Sequence, residues 1–116
     1  MTPEPEDADG YPADSTLEAL RVWPITDGGG ALDFLQAAWH GPEMARTDFL
    51  TAHEGYVVHD DGGRYLRVTT GGWSGNEDLL GEFELSQAYM VTWQLSARGG
   101  LHIFKYPAPA DRTARP

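Results

Sequence analysis

Cysteine is absent from the 116 residues, which excludes disulfides, thiolate nucleophiles and Cys-ligated zinc or iron–sulfur clusters. Basic residues are scarce: eight Lys and Arg stand against 18 Asp and Glu, a formal net charge of −10. A surface of that sign repels phosphate backbones, which are held by clustered Lys and Arg. Direct nucleic-acid binding is therefore not expected, whereas a protein partner with a basic surface is. Long apolar runs are missing as well, since no stretch approaches the roughly 18 residues that span a bilayer. The N-terminus is acidic and proline-rich where a secretory signal is basic and then apolar, so neither membrane insertion nor export is expected.

What is present suffices for one core. Four Trp, five Tyr and four Phe, in a chain that is 41% hydrophobic, exceed what a disordered chain carries. A second core would leave each half too small to stand alone. Met1 to Asp14 holds five carboxylates, three prolines and almost no aliphatic side chain, and reads as a disordered acidic leader. Pro107 to Pro116 has the same character and reads as a disordered tail. A single domain over 15–106 is left between them.

Ser15 and Glu18 have the S-x-x-E spacing of a capping box, which predicts a short helix ending before Pro24. Leu32, Leu35 and Trp39 recur at helical spacing up to Gly41, giving a second helix. Pro42 opens a predicted third helix from Glu43 to Ala52, with Met44, Phe49 and Leu50 as its apolar side. Beyond it the pattern turns to strands. Tyr56–His59 and Arg64–Thr70 flank the turn Asp60-Asp61-Gly62-Gly63 and read as a hairpin. Ser74 and Asn76 are candidate caps for a short helix from Glu77 to Phe83. Tyr89, Val91, Trp93 and Leu95 alternate with polar residues as the buried face of a strand would, and Ala97-Arg98-Gly99-Gly100 turns the chain into Leu101–Tyr106. These elements predict an α+β fold: a four-stranded, mainly antiparallel sheet of two hairpins joined by a short helix, with the N-terminal helices on one face.

The segment Thr70-Gly71-Gly72-Trp73-Ser74-Gly75-Asn76-Glu77 links a strand to a helix start. Free amides at such a junction can hold an anion, although it is neither a Walker loop nor a dinucleotide fingerprint. A pocket for a carboxylate or phosphate would need Gly72, Trp73, Ser74 and Asn76 to meet Arg98 and His102. The four histidines have no metal-ligand spacing, Ser74 and Ser96 lie in no nucleophile elbow, and no carboxylate pair is selected by spacing. No catalytic residue, metal or cofactor is assigned, and the chain is not read as an enzyme.

TGGWSGNE (Thr70 to Glu77), then Trp93, Ser96 and ARGGLHIF (Ala97 to Phe104), resemble a pattern in small uncharacterised proteins of bacteriophages and prophages. The resemblance covers about a third of the chain and implies no chemistry. It departs from the pattern at Ala97, where Arg is common, and at Leu101, where an aromatic residue or His is usual. It implies a phage-encoded accessory protein in the host cytoplasm that binds and modulates or inhibits a host or phage protein, for example as an anti-CRISPR-like counter-defence factor. The alternative is a small-ligand or nucleotide-binding domain using the Gly71–Asn76 loop.

Overall fold

Helical spacing brings Leu32 and Leu35 to one side of a helix, where both are fully buried beside Ala31 and Phe34. This is α2 (Gly28–Ala38), preceded by α1 (Asp14–Arg21) and a 3-10 turn at Ile25–Asp27, and followed by a second at Pro42–Met44. Next come the strands β1 (Ala45–Asp48), β2 (Ala52–His53), β3 (Tyr56–Val57) and β4 (Tyr65–Thr69). The helices α3 (Ser74–Glu84) and α4 (Gln87–Thr92) then lead into β5 (Trp93–Ala97) and β6 (Leu101–Lys105). The computed structural model describes residues 2–48, 52–53, 56–57 and 64–107.

The fold is α+β, with a four-stranded antiparallel sheet in the order β1-β4-β6-β5. Its helix-side face contributes Ala45, Leu66, Val68 and Phe104 to a core shared with Leu20, Leu32, Leu35, Leu79 and Phe83. Each buried Leu, Val or Phe among them stabilises the fold by about 1.5 to 3 kcal/mol. On the opposite face Tyr65, Leu101 and Ile103 form a smaller cluster with Leu95 and Ala97. Arg46 and Arg67 are cross-strand partners on that same outer face.

Several local expectations are corrected. The segment after Pro42 makes one 3-10 turn and then becomes β1 instead of a helix. Pairing of Ala45 with Val68 covers the free edge of β4, and Gln36 Nε2 donates to the Ala45 carbonyl at 3.1 Å; this tertiary gain outweighs local propensity. The partner of β4 is thus β1 and not Tyr56–His59, of which Tyr56–Val57 pairs with β2. The expected turn at 60–63 and the expected apolar pair Phe49 and Leu50 lie outside the described residues.

Tyr89 and Val91 belong to α4 and not to a strand. The Ser86 hydroxyl accepts from the Tyr89 amide at 3.1 Å and donates to the Phe83 carbonyl at 2.7 Å, so one serine ends α3 and caps α4. Ala88 and Thr92, four residues apart, are the buried pair. Trp93, expected inside, is 43% exposed. Nor does Ser15 cap α1, which begins at Asp14 without a side-chain cap; its hydroxyl donates to Glu4 instead.

Residues 2–13, expected as a disordered leader, carry contacts with the domain. Asp7 builds a turn there: its carboxylate accepts from the Asp9 and Tyr11 amides, both at 2.9 Å, and its carbonyl from the Gly10 amide at 2.9 Å. Tyr11 donates its hydroxyl to Asp78, and Pro12 is buried. Of the expected tail, 108–116 lies outside the described residues.

Candidate functional site

The glycine junction is a connector built around one buried amide. Gly71 and Gly72 take positive φ, +62° and +71°, and turn the chain from β4 into α3, which starts at Ser74 with Trp73 as its uncapped entry residue. Asn76 does not cap this helix. It is fully buried, its Oδ1 accepting from the His40 amide at 2.8 Å and its Nδ2 donating to the His40 carbonyl at 3.0 Å and the Thr70 carbonyl at 3.4 Å. Trp73 stacks on the His40 ring at 4.6 Å, 14° from parallel, and its indole nitrogen donates to the Gly10 carbonyl at 3.3 Å. The junction is thereby tied to the end of α2 and to the N-terminal segment.

Among the described residues, no recorded hydrogen bond or ring contact joins Trp73 to Arg98 or His102. Arg98 is exposed in the β5–β6 turn. That turn does reach the junction through its last glycine, since the Gly100 carbonyl accepts from the Thr70 amide at 3.1 Å. His102 belongs to a different constellation. The Trp93 indole donates to Ser96 Oγ at 2.8 Å, and Ser96 Oγ lies 2.7 Å from His102 Nδ1. With the imidazole proton on Nε2, the hydroxyl donates to Nδ1 and the chain of bonds is consistent throughout. Burial lowers the His102 pKa. Tyr89 stacks on Trp93 at 6.3 Å, and burial first, then Glu84, raises its phenol pKa while a hydrogen bond with Ser96 lowers it.

The six candidate residues are therefore divided among three places. Gly72, Trp73, Ser74 and Asn76 form the junction, whereas His102 lies in the β5–β6 chain and Arg98 in the exposed turn. The contact of Ser96 with His102 was legible in the hairpin, because a turn over 98–100 sets these two opposite each other. The role of His40 carried no sequence signal, its partner being 36 positions away.

Sequence reading also missed the segregation of charge. The N-terminal segment, α1 and α3 meet through Tyr11 with Asp78, Ser15 with Glu4 and Arg21 with Glu82 at 3.7 Å. Residues 2–21 and 74–84 carry ten carboxylates against Arg21 alone, −9 of the chain's −10. All but Glu82 are exposed. Against this layer lies a cavity of about 570 Å³, lined by Glu4, Glu6, Pro12, Thr16, Trp39 and His40 among others. Among the described residues, no group of three or more His, Asp or Glu is placed to hold a metal ion, and no helix is long and apolar enough to cross a membrane.

No protein-family model, curated protein or solved structure matches this chain.

Proposed function

We infer that this chain is a non-catalytic binding protein that docks its acidic helical layer on a basic surface of another protein. The observation that carries this reading is the gathering of nearly all the excess charge on the N-terminal segment, α1 and α3. Fields of one sign steer association with a surface of the other and reject like-charged partners. The engagement of Asn76 and Trp73 in internal contacts adds support, since it commits these junction side chains to holding the structure together. Glu77 places a further negative charge in the first turn of α3, where an incoming anion would compete with it.

The resemblance of Thr70 to Glu77 and Ala97 to Phe104 to a pattern in bacteriophage proteins supports a role for this activity in the encounter between phage and host. An acidic layer that covers a nucleic-acid-binding surface would inhibit its owner, as an anti-CRISPR-like counter-defence factor does. Affinity capture from bacterial lysate, with Glu18→Lys/Glu84→Lys as the control bait, tests the reading. Wild type should retain a basic protein that raised salt releases, and the control should lose it. Equal retention by both baits, or release that salt does not affect, would overturn it.

A further inference from the structure

We propose that the far end of the acidic layer seats the apolar face of a basic amphipathic helix of the protein partner. This rests on the acidic-layer reading and names the kind of segment that the layer receives. Asp14, Glu18 and Val22 follow one another at four-residue spacing along α1 and its C-cap, and all three are exposed. One side of the helix thus carries two carboxylates and then an aliphatic side chain. The same order recurs on α3, where Asp78 is exposed near the start and Leu85, seven positions on, follows the end. The two helices run side by side in one direction: Tyr11, just before α1, contacts Asp78, whereas Arg21 at the end of α1 contacts Glu82. Val22 and Leu85 therefore come at the same end of the layer, 69% and 67% exposed.

A recess of about 240 Å³ opens beside Val22, lined also by Ala19, Trp23, Pro24 and Asp27. The Asp27 carboxylate is engaged within the chain, since Trp23 Nε1 donates to Oδ2 at 3.1 Å and the Gly30 amide to Oδ1 at 3.2 Å. What remains for a guest is aliphatic and ring surface, continued by Ile25, which is 45% exposed. An apolar anchor point with charges around it is the usual anatomy of a protein interface. Charge decides the occupant. Carboxylates on α1 and α3 attract Lys and Arg, and the layer's own cation, Arg21, is already held by Glu18 and Glu82 at 3.5 and 3.7 Å. A second copy would bring a net charge of −10 against −10 and be repelled. A helix with aliphatic residues along one stripe and Lys and Arg beside it meets both requirements at once.

The test titrates three labelled synthetic peptides with the full chain at low salt and follows their fluorescence anisotropy. The first is a lysine-rich amphipathic helix with leucine along one stripe. The second has glutamine in place of each leucine, and the third keeps the leucines but carries a central proline that breaks the helix. The first should bind saturably and the other two at least about tenfold more weakly, the factor that burying one leucine side chain corresponds to. Val22→Ser/Leu85→Ser removes only exposed side chains, so it should melt with wild type while weakening the first peptide at least about fivefold and leaving the second unchanged. Equal binding of the first peptide and either of the others, binding that the serine variant does not weaken, or a wild-type dimer that this variant dissociates overturns the proposal. If the first two peptides bind equally and Glu18→Lys/Glu84→Lys weakens both, the apolar seat falls and the acidic layer stands. If wild type binds none of the three, both fall.

Discussion

The side chain of Asn76 grips the backbone of His40 at both ends, accepting from its N–H at 2.8 Å and donating to its C=O at 3.0 Å. One amide thereby replaces the backbone pairing that the chain forgoes where it leaves α2. Removing it leaves the two part-buried backbone groups of His40 short of a partner, each at about 1 to 3 kcal/mol, while the Thr70 carbonyl keeps the Trp73 amide at 3.0 Å. Asn76→Ala should therefore lose on the order of 3 kcal/mol or more in urea denaturation. Near wild-type stability would show that the amide is dispensable.

Trp93 and Phe83 differ in burial and should differ in mutational cost. Phe83 is fully buried and makes edge contacts with Tyr89 and Phe104, so Phe83→Ala should lose about 3 to 5 kcal/mol. Trp93 keeps 43% of its surface in water, and Trp93→Ala should lose only about 1 kcal/mol, for a stacking contact and one hydrogen bond. Equal losses in parallel melts would return Trp93 to the core.

Gly72 and Gly100 both have positive φ, +71° and +76°, but only one is crowded. A Cβ on Gly72 meets nothing within 4 Å, whereas on Gly100 it falls 2.1 Å from Thr70 Oγ1 and 3.3 Å from the Thr70 amide nitrogen. Gly72→Ala should cost only the conformational strain of roughly 1 to 2 kcal/mol. Gly100→Ala adds a clash to the same strain and should melt clearly lower. The reverse order in thermal denaturation would contradict this packing.

Deletion of residues 1–13 removes the bond from Trp73 to Gly10, the Glu6 pair with His40, and the Tyr11 contact with Asp78. A loss of 1 to 2 kcal/mol corresponds to a fall of roughly 5 to 10 °C in Tm for a domain of this size. The emission of Trp73 should also change as its ring loses the cover of Gly10. An unchanged melt would mean that these contacts add nothing to stability.

Burial holds the His102 imidazole below its ordinary value of 6.5. The unfolded chain therefore takes up the proton first as pH falls, so this contribution to stability is fully present above the unfolded value and lost on descending towards the folded one. His102→Gln should flatten the decline in urea midpoint between about pH 7 and about pH 5. A decline as steep as in wild type would place its cause elsewhere.

Sequence by itself determined the α+β class, the helix around Leu32 and Leu35, the strands β4 and β6, and the turn over 98–100. Each of these is encoded by local periodicity or turn chemistry acting over a few neighbours. It also fixed the total charge, though not its distribution. Only tertiary structure decided that the residues after Pro42 form β1, because the gain lies in the edge of β4, more than 15 positions further on. The same holds for α4, where alternation suggested a strand but the cap at Ser86 and the burial of Ala88 and Thr92 favoured a helix. Asn76 looked like a cap in sequence and became a buried clamp because His40 arrives beside it from 36 residues away. The acidic layer and its cavity likewise arise from packing, which brings residues 2–21 against α3 although more than 50 positions separate them. Local patterns report only a residue's own neighbourhood, and the acidic layer that carries the proposed function is a meeting of distant segments.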